Sequence, residues 1–385
     1  MNQAHNPNRR GMFSPSGFRD LVSGRRGGAA AGIFRGILAL AEGPYAWIVR
    51  RRNRRYDRGQ NRVQGVEVPV ISVGNLTLGG TGKTPMVEWI VRQLRGQGKK
   101  VGIVSRGYAA RGEANDEALE LAWNLPDVPH VQNPDRLAAA RRAIDEFGCE
   151  VLVLDDAFQH RRIARDLDIV LLDALEPLGF EHVFPRGTLR EPVQGLARAH
   201  VVVLSRADLL TAPERQALRE RVAKLSPSAA WAEVVHAPLA LVAARCAEQA
   251  GGTPAPQTRQ AGETPALQQQ SLERLRGRRV LAFCGLGNPA GFRHTLAVCG
   301  YEVVEFREFP DHHHYTQADL ESLAATAGQL KVEAVVCTKK DLVKIGRDHL
   351  GDCPLWAVGV GIEFLAGQGE VEKKLAGLQH FHRMH

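Results

Sequence analysis

The chain reads as an α/β protein: a doubly wound parallel sheet, a second and smaller α/β domain after it, and a membrane-associated helix ahead of both. Three observations predict this. Short β-branched runs alternate with longer amphipathic segments from residue 66 onward. One of those runs leads directly into a glycine-rich stretch, GNLTLGGTGKTP, at residues 74–85. The first 62 residues gather basic charge around an apolar segment. At 385 residues the chain is also longer than one ordinary domain.

The leader comes first, at residues 1–62. It holds thirteen arginines and three acidic residues, a local charge of +10, whereas the whole chain carries +8. The remaining residues are therefore slightly acidic, which argues against a nucleic-acid-binding body and for contact between the leader and an anionic membrane surface. Residues 29–49, AAAGIFRGILALAEGPYAWIV, are mostly apolar, and RRRNRR follows at once. Arg35, Glu42 and Pro44 interrupt the run, so a spanning helix is not expected. A secretory signal fits poorly because charge follows the apolar stretch as well as preceding it. The expected element is an amphipathic helix lying on the cytoplasmic face of a membrane, with its arginines toward lipid headgroups. The alternative is a helix packed on the body with a solvated charge run.

The core domain follows, at residues 63–247. VEVPVISV, KKVGIVS, EVLVLDD, LDIVLLD and AHVVVLS read as strands buried on both faces. PMVEWIVRQLRG and NPDRLAAARRAIDEFG read as helices between them, the second capped by Asn133 or Asp135. Residues 248–275 begin with a Gly-, Pro- and Gln-rich stretch, EQAGGTPAPQTRQAGETPALQQQ, that reads as a linker or insertion. RRVLAFCG, YEVVEFRE, VEAVVCTKK and PLWAVGV then resume the alternation as a C-terminal unit, residues 276–385. The six cysteines are widely spaced, with no CxxC pair, so buried free thiols in a reducing compartment are expected, with no zinc site.

The glycine-rich stretch is close to GxxxxGK[ST], with Thr77 standing at the first glycine position. Gly79, Gly80, Thr81, Gly82, Lys83 and Thr84 lie between a strand and a helix, the context a phosphate loop requires. Glycines there reach backbone angles that turn successive N–H groups onto phosphate oxygens. Lys83 would reach the β- and γ-phosphates of ATP, the Thr84 hydroxyl would ligate Mg²⁺, and the helix terminus adds positive potential. This makes the predicted fold P-loop NTPase-like. A second strand, VLVLDD, ends in Asp155 and Asp156, oxygen donors suited to the same ion. Either of the two could instead cap a helix.

Seven segments occur in an ordered set: SVGNLTLGGTGKTP, VSRGYAARGEANDE, LDDAFQH, RGTLREP, FCGLGNPAGF, FPDHHHYT and TKKD. In that order they resemble the tetraacyldisaccharide 4′-kinases, the lipid A 4′-kinases of outer-membrane-bearing bacteria. The resemblance runs from about residue 30 to about residue 365. It implies ATP- and Mg²⁺-dependent phosphorylation of the 4′-hydroxyl of a membrane-embedded disaccharide 1-phosphate, by an enzyme expected to act as a monomer.

The resemblance also implies roles. Asp116 matches the family's catalytic base, and Glu117 a residue near the metal. His312 matches the histidine paired with that aspartate, with Asp311 fixing its tautomer; such a dyad orients the base and shares the proton. Because Asp116 and His312 lie on opposite sides of the linker, closure would assemble the site. His313 and His314 are left without a role. Arg190 matches the family's LRE segment and would hold the acceptor, where a bidentate guanidinium suits its 1-phosphate. Its alternative is an ion pair with Glu191 or another nearby acid. Gln159 and His160 would surround the metal ligands. Arg186 and Ala157 depart from the family pattern, which has a smaller residue and a glycine there.

TKKD at residues 338–341 and SRAD at residues 205–208 echo a base-reading loop, with helix capping as the favoured role for their carboxylates. The competing class is a regulatory ATPase of the ParA/MinD kind, which shares a deviant phosphate loop. That group carries a signature lysine where this chain has Leu78.

Overall fold

The computed structural model describes residues 15–107, 116–244, 267–287, 289–311 and 313–381. The leader forms α1 (Pro15–Val22) and α2 (Ala29–Asp57). The core begins with β1 (Val70–Asn75), α3 (Lys83–Gly96), β2 (Val101–Ser105), α4 (Asp116–Asn124) and β3 (His130–Gln132). It continues through α5 (Arg136–Phe147), β4 (Val151–Asp155), β5 (Leu167–Asp173), β6 (Val201–Ser205), α6 (Ala212–Leu225) and β7 (Ala230–Ala244). Beyond the linker come β8 (Leu267–Gln270), β9 (Arg279–Cys284), α7 (Pro289–Val298), β10 (Glu302–Glu308) and α8 (Gln317–Leu330). The last elements are β11 (Ala334–Thr338), α9 (Lys339–Ile345), β12 (His349–Leu350), β13 (Cys353–Ala366) and α10 (Gln368–Phe381).

Strands of both sequence units join one sheet, in the order β10-β9-β11-β13-β7-β6-β5-β1-β4-β2-β3. From β7 through β3 neighbouring strands run parallel, as they do from β10 through β13. The two blocks meet where β7 pairs antiparallel with β13, from Val242↔Ala357 to Glu233↔Ala366. These are the two longest strands, 15 and 14 residues, and their length is what lets each block share them.

The strand runs are apolar throughout because helices cover both faces. Ile71, Val73, Val151 and Val153 meet Met86, Ile90 and Leu94 of α3 on one face. Val70, Leu152 and Leu154 meet Leu137, Ala140 and Ala143 of α5 on the other. Asp135 caps α5, accepting from the backbone N–H groups of Leu137 and Ala138. Four cysteines, Cys149, Cys284, Cys299 and Cys337, are buried free thiols; Cys353 is a half-buried one, and Cys246 lies outside the described residues.

Chain order places β4 and β5 on opposite sides of β1. A crevice at the carboxyl ends of strands where the order reverses is where open α/β sheets bind ligands. The glycine-rich stretch follows β1 at that point.

The leader packs against this edge of the site through one side of α2. Glu42 accepts from Val183 N–H at 2.8 Å, Tyr45 donates to the Arg190 carbonyl at 3.3 Å, and Asn53 donates to Glu191 at 2.7 Å. Ala46 and Val49 are buried on the same side. Among the described residues no helix is long and apolar enough to cross a membrane.

Candidate active site

The loop after β1 has the conformation a phosphate cradle needs. Gly79 (φ 109°) and Gly82 (φ 83°) occupy backbone space that side-chain-bearing residues rarely enter. Gly82 also precedes α3 in a left-handed conformation, so Lys83 and Thr84 open the helix, both buried. Thr77 has no such requirement. It forms an antiparallel bridge with Leu189, flanked by Leu78 N–H to Thr188 carbonyl and Arg190 N–H to Leu76 carbonyl, each 2.7 Å. An extended position of this kind accepts threonine, which accounts for the missing first glycine.

Asp155 ends β4, nearly sealed at 3% exposure, in register with Val73 of β1. Asp156 follows with φ 50°, a left-handed conformation that aspartate tolerates better than most residues. The turn aims its carboxylate at two cations. Arg190 Nη1 reaches both Asp156 oxygens, at 2.7 and 2.9 Å, and Lys83 Nζ lies 3.5 Å from Oδ1. Burial opposes the charge on Asp156, but Lys83, Arg190 and Arg136 outweigh it and hold the carboxyl far below the ordinary range.

Arg190 is ion-paired in this structure with Asp156 and not with Glu191. Glu191 is fully buried and accepts from Arg198 at 2.8 Å, Asn53 at 2.7 Å and Gln159 at 3.1 Å. Gln159 also donates to the Asn75 carbonyl at 2.9 Å, so it braces the strand that feeds the loop. His160 is pushed down to about 4 by burial and by Arg136, Arg162 and Arg165, and is neutral at physiological pH. Arg186 donates to the Val22 carbonyl at 3.1 Å, so this departure from the family pattern ties down the end of α1. Ala157 is fully buried and needs no glycine conformation.

Asp116 and Glu117 are the first residues of α4, but their side chains lie outside the described residues, as does His312. Described residues of α4 and of the segments on either side of position 312 share one cluster. Trp123 of α4 is buried in the cluster that holds Phe283, Leu342 and Leu355, and Phe309 and Tyr315, flanking His312, pack on that cluster. Lys339 Nζ donates to Asn124 Oδ1 at 2.9 Å, tying α4 to α9. His313 stacks on Phe309 and pairs with Asp319 at 3.0 Å, a structural role, whereas His314 is exposed.

Both base-reading echoes are capping or tethering carboxylates here. Asp341 is buried and accepts from Thr338 at 2.6 Å, Tyr315 at 2.9 Å and Gly285 N–H at 3.1 Å. Asp208 meets His294 of α7 at 2.5 Å, linking the two blocks. Among the described residues no group of three His, Cys, Asp or Glu side chains is placed to hold a metal. The donors present, Asp155, Asp156 and the Thr84 hydroxyl, are all oxygen, the set that suits Mg²⁺.

Two side chains at the loop, Arg19 and His236, carried no sequence signal, and a third, Arg206, stood out only as part of SRAD. A Cβ at Gly79 would collide with the Arg19 guanidinium, and one at Gly82 with the His236 ring. Arg206 donates to the Gly80 carbonyl at 3.3 Å and pairs with Asp173 at 2.5 Å. His236 is held neutral by burial, with Arg206 and His294 adding to the effect. Their contacts with the loop follow from tertiary approach, which no local pattern records.

Comparison with known proteins agrees with this geometry. Residues 34–379 match the family described as Tetraacyldisaccharide-1-P 4′-kinase. A tetraacyldisaccharide 4′-kinase of Anaeromyxobacter sp. (strain K) is 42% identical over 325 residues, 80% of each chain. Another, from Anaeromyxobacter dehalogenans, is 40% identical over 359 residues, covering 88% of this chain and 89% of its own. The solved structure of Aquifex aeolicus LpxK in complex with ATP is 27% identical with a TM-score of 0.67, covering 90% of this chain and 99% of its own. The regulatory ATPase reading finds no support in these matches. The chain belongs to the tetraacyldisaccharide-1-phosphate 4′-kinase family, enzymes of lipid A biosynthesis, and is a phosphotransferase with a P-loop NTPase-like α/β fold.

Proposed function

We propose that this kinase cradles ATP on the loop from Gly79 to Thr84 and transfers its γ-phosphoryl group to the 4′-hydroxyl of tetraacyldisaccharide 1-phosphate. The activity is that of the family to which the chain belongs; the residue roles are our reading. The observation that carries it is Lys83, set at the start of α3 beside left-handed Gly82 and 3.5 Å from Asp156. Lysine placed there meets the β- and γ-phosphates, while the loop N–H groups meet the remaining oxygens.

Asp155 and Thr84 would hold Mg²⁺, joined by Glu117 and by Asp156 once phosphate draws Lys83 away. Bound there, the ion would neutralise phosphate charge. Asp116, aided by His312, takes the acceptor's proton as the 4′-oxygen attacks the γ-phosphorus and ADP departs. Packing of α4 and of both neighbours of the His312 segment on one hydrophobic cluster supports that pairing. In this reading residues 63–247 carry the nucleotide and residues 276–385 contribute His312. Arg190 switches from Asp156 to the acceptor's 1-phosphate as that anion arrives.

The leader holds the enzyme on the cytoplasmic face of the inner membrane. Ile33, Ile37, Leu40 and Trp47 recur at helical spacing on the side of α2 away from the protein, each at least 55% exposed. Arg51, Arg54 and Arg58 continue the same stripe toward the C-terminus of the helix, with Arg51 over the Trp47 ring. Apolar side chains entering lipid beside arginines at headgroup level form an interfacial helix.

The test is incubation of the purified full chain with ATP, Mg²⁺ and the lipid disaccharide 1-phosphate in detergent micelles. Phosphorylated lipid formed together with ADP supports the reading. ATP hydrolysis at full rate without lipid, and no phosphorylated lipid, overturns it.

A further inference from the structure

Several side chains reach the phosphate loop from distant segments: Ser205 ends β6 and donates to the Thr81 carbonyl at 2.8 Å, Arg206 follows it, and His236 lies on β7. Arg19 comes from α1, ahead of residue 34 where the family match begins. Its placement is specific. Nε and Nη2 reach Glu176 Oε1 at 3.1 and 3.0 Å, and Glu176 is itself only 5% exposed. Leu21 and Val22 are buried at 3% exposure, and Arg186 holds the Val22 carbonyl. A short helix that would otherwise drift in solvent is thus fastened with one guanidinium against Gly79.

Two other arginines nearby have partners of their own. Arg206 addresses a loop carbonyl and Asp173, the side of the loop that offers acceptors to cations. Arg190 spends Nη1 on both oxygens of Asp156. Gly79 has φ 109° and no side chain, so it leaves the guanidinium room at the first glycine of the cradle. In phosphoryl transfer, negative charge spreads over the equatorial oxygens of the moving group, and a nearby arginine stabilises that charge more than it stabilises bound ATP.

We propose that Arg19 is a transition-state arginine supplied in cis by the leader, contacting the terminal phosphate of a nucleotide held on the Gly79–Thr84 loop. The inference rests on the kinase reading above. Arg19 exchanges no proton; the bond from the 4′-oxygen to γ-phosphorus forms, the bond to the β,γ-bridging oxygen breaks, and the hydroxyl proton goes to the base. Glu176 keeps the guanidinium aimed in the absence of nucleotide. The segment that meets the membrane thereby also takes part in chemistry.

The test uses the full chain in the micelle assay, comparing wild type with Arg19→Ala, Arg19→Lys and Glu176→Gln. We expect Arg19→Ala to lower kcat by about a thousandfold, the lower end for such arginines, with little change in the KM for ATP. Added guanidinium ion should restore part of that rate and leave wild type unaffected, which repair of folding or of membrane contact would not do. Arg19→Lys should recover less than the guanidinium does, and Glu176→Gln should retain most of the wild-type kcat. An Arg19→Ala kcat within about threefold of wild type overturns the proposal, as does a loss that guanidinium leaves unchanged. Either result leaves the kinase reading intact, whereas a wild-type chain that makes no phosphorylated lipid removes both.

Discussion

Arg190 Nη1 grips both carboxylate oxygens of Asp156, at 2.7 and 2.9 Å, while Lys83 waits on the same carboxylate at 3.5 Å. One anion therefore organises two cations with different destinations, one toward nucleotide and one toward acceptor. Without it, two positive side chains would face each other across a half-closed cleft.

Removing Arg190 tests that arrangement. The pair is about one-quarter exposed on each side, so Arg190→Ala should cost about 2 kcal/mol, between the values for surface and buried pairs. Urea unfolding of the two proteins measures this. Because the folded carboxyl lies below its unfolded value near 3.9, the stabilisation is fully present above that pH and is lost as pH falls below it. Asp156→Asn should accordingly flatten the acid limb of the stability curve and leave its slope between pH 6 and 8 unchanged.

Lys83 and Asp116 should separate binding from chemistry. Lys83→Ala removes a phosphate contact in both ground and transition states, so ATP affinity and kcat should both fall, kcat on the order of a hundredfold. Asp116→Ala should lower kcat between about a hundredfold and ten-thousandfold with ATP affinity nearly unchanged. Nucleotide binding by calorimetry beside steady-state rates decides it; equal and mild losses in both variants would sink the assigned roles.

The outward stripe of α2 predicts lipid dependence. Replacing Ile33, Ile37 and Leu40 by serine should weaken vesicle binding on the order of a thousandfold, since each aliphatic side chain contributes about 1.5 kcal/mol or more when it leaves water. Replacing Arg51, Arg54 and Arg58 by glutamine should instead reduce the preference for anionic over neutral vesicles on the order of a hundredfold, at about 1 kcal/mol per arginine. Sedimentation with vesicles of both compositions distinguishes the two contributions; unchanged binding in both variants would dismiss the surface role.

Glu191 sets a stability prediction of its own. It is fully buried, with Arg198, Asn53 and Gln159 as its partners, and it joins the leader helix to the strand behind the loop. Glu191→Ala strands the Arg198 guanidinium and should cost about 3 kcal/mol. Glu191→Gln keeps the shape and should cost less. Thermal unfolding of both variants checks the order, and a milder effect from alanine would refute it.

The sequence alone determined the elements and the chemistry of the loop. Continuous apolar runs mark strands covered on both faces, and GGTGKT after such a run marks a phosphate loop because only glycine reaches its backbone angles cheaply. VLVLDD placed both acids at a strand end, and ordered motifs identified the family. Tertiary structure decided the partners. Asp156, not Glu191, takes Arg190 because a left-handed turn after β4 swings its carboxylate across the cleft. Thr77 replaces glycine without harm because residue 189 pairs with it as an extended strand would. Arg19, Arg206 and His236 reach the loop from three distant segments, and β7 with β13 fuses two sequence units into one sheet. Local pattern records a residue's own backbone and face; contacts between residues far apart in the chain, here 34 positions and upward, depend on how strands are ordered, which no short window of sequence encodes.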